Sequence, residues 1–299
     1  MGAVGIAACE RHILGQLSRS FGTLHMTATD TPKAPLSDHA LGKLPLQAYD
    51  RTHKLQPATT WWGKKVEAFT DWIEDVFARN SLHGDRPVFN NAQFPWVDDV
   101  ESSWQKVRAE LDQVMQYRDS MPSFQDIVKE VSLIQTDNDW KTYFLKGVGM
   151  DCEENASRCP ETMKVLKKIP GVTTAFFSIL SPHKHIPHHR GPWVGVLRLH
   201  VGLLVPEPRE QCRIRIANKA YSWTEGKCLI FDDTFNHEVW NDTDGYRVVL
   251  FIDFERPLSQ PWGWLNHIIM NLAPLAPFLR EAKGKQRAWE LKMWGKKKS

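Results

Sequence analysis

The second half of the chain changes its hydrophobic period, and that change limits the fold more than any other feature. After Gly171 the sequence is divided into short runs rich in β-branched and aromatic residues, which are typical of strands. These runs cover residues 174–180, 194–205, 212–217, 227–231 and 246–254. Turn-forming residues separate them, among them Pro206, Pro208 and the stretch 242–245. Several short strands in series predict a sandwich or a barrel.

Apolar residues at helical spacing characterise the segment that precedes these strands. Residues 61–80 carry one such stripe, and two more begin at Trp104 and Phe124. The stripes consist of Trp62, Val66, Phe69, Ile73, Val76 and Phe77, then Trp104, Val107, Leu111 and Val114, then Phe124, Ile127, Val128 and Val131. Helices followed by a strand series predict a mainly β, α+β protein, in which helices flank a double-stranded β-helix core of jelly-roll or cupin-like architecture.

These patterns divide the chain into four regions. We expect residues 1–60 to be a poorly ordered N-terminal extension or linker, because their Pro, Thr and charged residues follow no period. Residues 61–170 are the predicted helical flank, and residues 171–258 the predicted catalytic core. Residues 259–299 form an amphipathic, basic C-terminal tail.

Charge and cysteine content argue against several classes of protein. The chain has 38 basic and 35 acidic residues, so its formal charge of +3 gives no reason to expect a nucleic-acid partner. Its five cysteines are scattered and odd in number, which favours a reducing compartment over a disulfide framework. No run approaches the roughly 20 apolar residues of a membrane-spanning helix. We therefore expect a cytoplasmic protein that is at most peripheral to a membrane.

Two histidines at the ends of neighbouring predicted strands are candidates for a metal site. His189 ends a histidine-rich cluster, and His237 lies in a strand predicted at 235–240. Neutral imidazole is a common ligand of iron(II), and non-heme oxygenases use two histidines and usually one carboxylate on one face of the metal. Most histidines are instead satisfied surface or core groups, and we assign the other cluster members to that class. These are His183, His185 and His188.

Arg247, on the strand after His237, is a candidate for binding a carboxylate. Strand alternation puts Arg247 on one face with Val249 and Phe251, and a guanidinium buried in this way needs an anion. Its planar fork suits the distal carboxylate of 2-oxoglutarate. Ser178, in the strand before the histidine cluster, adds a hydroxyl donor for the same anion.

Polar residues also interrupt the apolar strand predicted at 194–205. Arg198 and His200 project to one face, while the leucines between and beside them project to the other. Polar side chains on so apolar a strand are unusual for packing alone, which indicates a pocket on that face. By contrast, we interpret Arg213 and Arg215 as solvated or rim residues.

Short motifs surround all of these residues. They are Ser178-Ile179-Leu180, His189-Arg190-Gly191-Pro192, LRLHVGL at 197–203, WTEGK at 223–227, FDDTFNHEVW at 231–240 and Arg247. Together, over about residues 140–258, they resemble the aspartyl/asparaginyl β-hydroxylase family, which also includes bacterial lipid A hydroxylases. The resemblance implies a double-stranded β-helix that uses iron(II), 2-oxoglutarate and dioxygen. It also implies metal ligation by His189 and His237, 2-oxoglutarate binding by Arg247 and Ser178, and a pocket lined by Arg198 and His200.

Two positions set this sequence apart from related branches. Gly191 stands where most oxygenases of the wider superfamily have an acidic ligand, but the peptidyl branch of this family also has glycine there. The resemblance thus implies a site with two histidines, in which water takes the third protein position. Val196 stands where the peptidyl branch has a second arginine, two residues before Arg198, so an acidic substrate side chain loses a partner.

Three functions remain open at this point. The first is hydroxylation of an unactivated C–H bond in a lipid acyl chain. The second is peptidyl aspartyl/asparaginyl β-hydroxylation. The third belongs to a different class, a non-enzymatic cupin-like module that binds a metal or an anion.

The segment 261–299 bears on the lipid hypothesis. Its apolar residues precede its basic ones, which is an order typical of an interfacial anchor at an anionic membrane. The apolar group is Trp262, Trp264, Leu265, Ile268, Ile269, Leu272 and Leu275, and the basic group is Arg280, Lys283, Lys285, Arg287 and residues 296–298. An interpretation of equal weight is that the segment packs across the barrel and ends in a solvated lysine tail.

Overall fold

The alternation along strand β4 (Val196–Leu204) divides the interior into two layers. In the computed structural model, which describes residues 60–150 and 152–295, Leu197 and Leu199 are buried in a cluster shared with helices. Arg198 and His200 project from the opposite face, because successive side chains of a strand alternate. One face of the sheet therefore packs on helices, and the other carries polar groups.

Two antiparallel sheets form the core of the described residues. Their strands are β1 (Trp140–Lys146), β2 (Val172–Leu180), β3 (Lys184–His189), β4, β5 (Cys212–Ile216), β6 (Lys219–Ser222), β7 (Cys228–Phe231), β8 (His237–Asn241) and β9 (Arg247–Glu255). The larger sheet has the order β1-β2-β9-β4-β7, and the smaller has the order β3-β8-β5-β6. Several strands that are adjacent in a sheet, such as β9 and β4, are distant in sequence, which is the arrangement of a jelly-roll.

Helices flank the two sheets. They are α1 (Trp61–Arg79), α2 (Val97–Ser102), α3 (Trp104–Met115), α4 (Phe124–Ile127), α5 (Glu153–Ser157), α6 (Pro160–Leu166), α7 (Trp262–Leu272) and α8 (Pro277–Trp294). Short 3-10 turns lie at Asn91–Gln93, Arg118–Ser120, Lys129–Leu133, Arg209–Gln211 and Ala273–Leu275. None of the helices within the described ranges is long and apolar enough to cross a membrane.

Three apolar clusters hold these layers together. The largest joins α2, α3 and α6 to the larger sheet, through residues such as Leu111 and Phe254. A second fills the space between the two sheets, where Phe176 and Val249 of the larger sheet meet Ile214 of the smaller one. A third joins α1 to α7, and its centre is Phe77.

The predicted β core with flanking helices is confirmed, although several element boundaries differ from those expected. β1 lies inside the expected helical flank and was not predicted. Nearly all of its side chains are buried, so its sequence shows none of the apolar–polar alternation that identifies a strand. β3 was missed because it contains Pro187 and a run of histidines, which are poor strand signals. β6 was also missed. The expected extension at 1–60 lies outside the described residues, apart from Thr60.

The packing of Phe254 supplies a test of the layer between helices and sheet. Phe254 is buried, and its ring meets Phe94 and Trp96 edge-on at centroid distances of 5.8 and 5.3 Å. We expect Phe254→Ala to lower the free energy of unfolding by about 3–5 kcal/mol, because it leaves a cavity in a packed core. Chemical denaturation measures this loss. Leu82→Ala, at a side chain that is 63% exposed, is the control and should change the value by less than about 0.5 kcal/mol. Equal effects of the two variants would contradict this packing.

Candidate active site

The two histidines predicted as metal ligands face each other across a pair of strands. β3 pairs antiparallel with β8, and in this register His189 lies directly opposite His237. The centroids of the two imidazole rings are 4.2 Å apart. They lie at the end of the cluster between the sheets, where Phe231 packs on His237.

Backbone carbonyls fix the tautomer of both rings. His189 Nδ1 lies 2.8 Å from Pro187 O, and His237 Nδ1 lies 3.0 Å from Phe235 O. A carbonyl oxygen only accepts, so each Nδ1 carries the proton and each Nε2 keeps its lone pair. Burial lowers the pKa of His189 to about 4, and it lowers the pKa of His237 well below its ordinary value. Both rings are therefore neutral near pH 7, the form that binds metals.

Asp233 occupies the space beside Gly191 and is not among the site residues predicted from the sequence. A Cβ atom built on Gly191 would lie 1.9 Å from Asp233 Oδ2. The Asp233 carboxylate is buried and accepts no hydrogen bond from the described residues, although Arg198 Nη2 lies 2.7 Å from its Oδ2. Burial raises the pKa of Asp233 to about 7. The sequence signals for this residue were its place in the motif FDDTFNHEVW and its position four residues before His237.

Arg247 is buried at the inner face of the larger sheet. The residue is 2% exposed, its Nη1 lies 3.5 Å from Ser178 Oγ, and its Nε has no hydrogen-bond partner among the described residues. Trp140 donates to the same Ser178 hydroxyl at 2.9 Å, and the ring of Trp223 lies 4.7 Å from the guanidinium carbon. Within the described ranges no carboxylate pairs with this cation. Burial lowers the pKa of Arg247 to about 10, so it stays charged at neutral pH.

His200 presents a second unsatisfied donor in the same region. Trp223 Nε1 donates to His200 Nδ1 at 3.3 Å, so the proton of the neutral ring lies on Nε2. That Nε2–H is buried and has no acceptor in the part of the chain that the structure describes. Burial, with Arg247 nearby, holds the pKa of His200 well below its ordinary value. The pocket thus offers a cation and a neutral donor to an anion.

Arg198 is already paired with two carboxylates. Its Nε donates to Asp253 Oδ1 at 2.9 Å, and its Nη2 approaches Asp233 as described above. Burial disfavours the charged guanidinium, but Asp233 and Asp253 outweigh it and raise the pKa of Arg198. The predicted placement of Arg198 on the inner face with His200 is found, and its charge is neutralised there.

The interpretation of Arg215 as a solvated or rim residue is wrong. Arg215 is fully buried, because three acceptors satisfy its guanidinium. These are Ala217 O at 2.8 Å, Asn236 Oδ1 at 2.8 Å and Glu238 Oε2 at 3.1 Å. Arg213 does lie nearer the rim, where it pairs with Asp242.

Two of the remaining clustered histidines bond to surface-side carboxylates. His183 Nε2 lies 2.9 Å from Asp244 Oδ1, and the histidine side chain is 65% exposed. His185 Nε2 lies 2.7 Å from Glu238 Oε1 on the outer face of the smaller sheet. Neither contact brings these rings to the pair formed by His189 and His237.

The donor set fits a metal held by two imidazoles beside an anion. Two neutral Nε2 atoms are available at His189 and His237, and Arg247 and His200 leave buried donors without acceptors. No group of three or more His, Cys, Asp or Glu side chains in residues 60–150 and 152–295 is arranged to hold a metal.

The family model and the relatives that match this chain are all described as hydroxylases. The model of the family described as aspartyl/asparaginyl beta-hydroxylase matches residues 101–257. The chain is 47% identical over 223 residues to an ornithine lipid ester-linked acyl 2-hydroxylase of Rhizobium tropici, covering 75% of this chain and 79% of that protein. It is 34% identical over 170 residues to the human aspartyl/asparaginyl beta-hydroxylase, covering 55% of this chain and 22% of that protein.

Similarity to solved structures is more remote. A prolyl-4-hydroxylase of Pseudomonas putida aligns at 16% sequence identity with a TM-score of 0.36. The alignment covers 51% of this chain and 87% of that structure.

The contact between Gly191 and Asp233 supplies a test of the site geometry. We expect Gly191→Ala to lower the free energy of unfolding by about 1–3 kcal/mol, because the new Cβ must push the buried carboxylate away from Arg198. Chemical denaturation measures the effect. The matched control is Gly284→Ala in α8, where nothing lies within 4 Å of an added Cβ. That control should gain about 0.5–1 kcal/mol from helix propensity, and a Gly191→Ala protein as stable as wild type would refute the contact.

Proposed function

Because the chain belongs to the aspartyl/asparaginyl β-hydroxylase family, we propose that it hydroxylates an unactivated C–H bond of a lipid acyl chain, using iron(II), 2-oxoglutarate and dioxygen. The observation that carries this proposal is the buried Arg247, which has no carboxylate partner among the described residues and lies in the same inter-sheet core as two neutral imidazoles. A buried guanidinium is costly unless an anion pairs with it. 2-Oxoglutarate supplies that anion.

His189 and His237 are the proposed metal ligands. Their Nδ1–H groups bond to backbone carbonyls, which orients the rings and leaves Nε2 to bind iron. Iron(II) held there supplies the dioxygen-activating chemistry of the reaction. The protein contributes the position of the two rings and their neutral state.

Arg247 and Ser178 are proposed to bind the distal carboxylate of 2-oxoglutarate. The guanidinium is preorganised by Trp223, and the Ser178 hydroxyl is oriented by the indole N–H of Trp140. His200 lies beside Arg247 and offers its Nε2–H to a further oxygen of the same anion. This set excludes water from the charged end of the co-substrate, since all of these side chains are buried.

Asp233 is proposed to act in place of the missing acidic ligand. Its carboxylate takes up the volume that a side chain at position 191 would need, and it has lone pairs without donors. It is suited to accept a hydrogen bond from a water that would take the third protein position at the metal. Gly191 is required because no larger residue leaves room for this carboxylate.

The overall reaction balances without a further reductant. 2-Oxoglutarate loses carbon dioxide and becomes succinate, taking one atom of dioxygen into its new carboxylate. The other atom enters the substrate C–H bond and produces an alcohol. Two electrons come from the co-substrate and two from the C–H bond.

The site favours a substrate that is uncharged near the hydroxylated carbon over one with an acidic side chain there. Val196 is buried and lies on the same face of β4 as Arg198, where a second cation would be needed for a carboxylate. Arg198 itself is paired with Asp253 and Asp233. The relative from Rhizobium tropici, whose name specifies a lipid acyl 2-hydroxylase, supports the same choice.

A peptidyl aspartyl/asparaginyl β-hydroxylase is the second candidate. It is favoured by the human relative, although that match covers only 22% of the human protein. The non-enzymatic module is set aside, because the relatives across this region are named as hydroxylases.

Peripheral membrane contact through 261–299 completes the proposal. Within α7 and the turn after it, Trp264, Leu272 and Leu275 are 64%, 56% and 60% exposed. Trp262 and Leu265 instead pack on the cluster between α1 and α7, so the segment both packs on the domain and exposes apolar side chains. Exposed tryptophan and leucine suit an interfacial position, and Arg280 adds a nearby exposed cation.

Two variants separate the proposed roles of metal and co-substrate binding. The double variant His189→Ala/His237→Ala should abolish succinate formation and Mn²⁺ binding, because it removes both metal ligands. Arg247→Met should keep Mn²⁺ binding and raise the KM for 2-oxoglutarate by about 100-fold, since it removes one charged partner of the carboxylate. Succinate release and Mn²⁺ titration measure these effects. His183→Ala, at an exposed ring, is the control and should resemble wild type.

Substrate class is tested in the same assay. Acyl lipids should stimulate succinate release and gain one oxygen by mass spectrometry, whereas acidic peptides should do neither. Stimulation by peptides alone would assign the protein to the peptidyl branch. Succinate release that persists in the double histidine variant would refute the metal site.

Membrane contact has a separate test. The triple variant Trp264→Ala/Leu272→Ala/Leu275→Ala should lose cosedimentation with anionic phospholipid vesicles, because it removes the exposed apolar side chains. The fold should survive, since all three side chains are mostly exposed. Leu82→Ala, also exposed but distant in sequence, should bind vesicles as wild type does. Unchanged cosedimentation of the triple variant would refute this surface.

A further inference from the structure

Two loops flank the proposed metal ligands. The first ligand loop, residues 190–195, follows His189, and the second ligand loop, residues 232–236, precedes His237. Gly191 N–H of the first loop donates directly to Asp233 O of the second at 2.7 Å, and the side chain of Arg256, just beyond the end of β9, links the two loops again. Arg256 is a residue of neither loop and has no place in the site described above.

Arg256 contacts both loops at once. Its Nη2 forms a fully buried ion pair with Asp232 Oδ2 of the second ligand loop. Its Nε donates to Val194 O of the first ligand loop at 2.6 Å, and its backbone N–H donates to Gly195 O at 2.9 Å. A planar guanidinium makes both side-chain contacts in one fixed geometry, which an ammonium group cannot reproduce.

Asp232 connects the Arg256 ion pair to the turn that precedes His237, the second proposed ligand. Its Oδ1 accepts hydrogen bonds from both the backbone N–H of Thr234, at 3.0 Å, and the Thr234 hydroxyl, at 2.5 Å. These bonds shape the turn that presents Phe235 O to His237 Nδ1. The position of the His237 ring therefore depends on the turn that Asp232 organises.

We propose that Arg256 is a positioning residue, which sets the separation of the two ligand imidazoles by holding the ligand loops together. The proposal rests on the metal site proposed above, and it adds a residue that touches neither metal nor co-substrate. Groups that orient metal ligands at one remove commonly change metal affinity by about 10- to 100-fold. A purely structural ion pair would change stability and leave metal affinity alone.

The test compares metal affinity with stability in matched variants. Arg256→Met/Asp232→Asn removes both charges, so no unpaired buried charge remains to unfold the protein. We expect a thermal midpoint close to wild type and a Kd for Mn²⁺ at least about tenfold higher, because the link between the loops is lost. Arg256→Lys keeps the positive charge but loses the planar guanidinium. Its Kd for Mn²⁺ should therefore lie between those of the wild type and the double variant. Arg213→Met/Asp242→Asn, which removes another ion pair of the β core, is the control and should leave the Kd unchanged.

The outcomes separate this proposal from the metal site on which it rests. A folded double variant with a Kd within twofold of wild type overturns the positioning role. If the double variant does not fold, Arg256→Lys decides, and an unchanged Kd for that variant overturns the proposal as well. If His189→Ala/His237→Ala binds Mn²⁺ as wild type does, the metal site itself is wrong and the positioning role falls with it. Loss of Mn²⁺ in that histidine variant, with unchanged Kd in the Arg256 variants, refutes only the role of Arg256.

Discussion

The antiparallel pairing of β3 with β8 is the constraint on which the site depends. In this register His189 and His237 are direct neighbours across the ladder, and both rings point into the space between the sheets. A slip of one residue would turn one ring to the outer face. Ile186 and Val239 pair in the same ladder and pack in the inter-sheet cluster, and an irregularity of one residue between Ile186 and His189 brings His189 opposite His237. The geometry of this histidine pair thus depends on the hydrophobic core.

The interior next to these histidines is unusually polar for a packed core. Among the described residues, Arg247 and His200 are buried with donors that lack acceptors, and the buried Asp233 carboxylate has an ion pair with Arg198 but no hydrogen bond. Such groups are destabilising until a ligand pairs with them. The apolar cluster on the other side of the larger sheet, which contains residues such as Leu199 and Ile252, offsets this cost. The polar groups therefore lie on the inner face of the larger sheet, beside the inter-sheet cluster, while the outer face is packed by the largest apolar cluster.

Much of this arrangement follows from the sequence, and what was missed has physical reasons. The alternation in β4 predicted the inward faces of Arg198 and His200, because a strand between two packed layers must alternate. β1 showed no alternation because both of its faces are buried. Asp233 sits in a turn, where no period marks it, and only its tertiary contact with Gly191 makes it notable. The burial of Arg215 depends on acceptors from Asn236 and Glu238, which local sequence does not reveal.

The shared volume at Gly191 and Asp233 has a consequence for how such a site can evolve. A carboxylate at position 191 and one at position 233 compete for the same space, since a single Cβ at 191 would already overlap the Asp233 side chain. A two-histidine site of this form therefore cannot become a two-histidine, one-carboxylate site by one substitution. An acidic residue at position 191 would require a change at Asp233 as well, because the two side chains occupy the same space. The two kinds of site are separated by an epistatic barrier that is steric in origin.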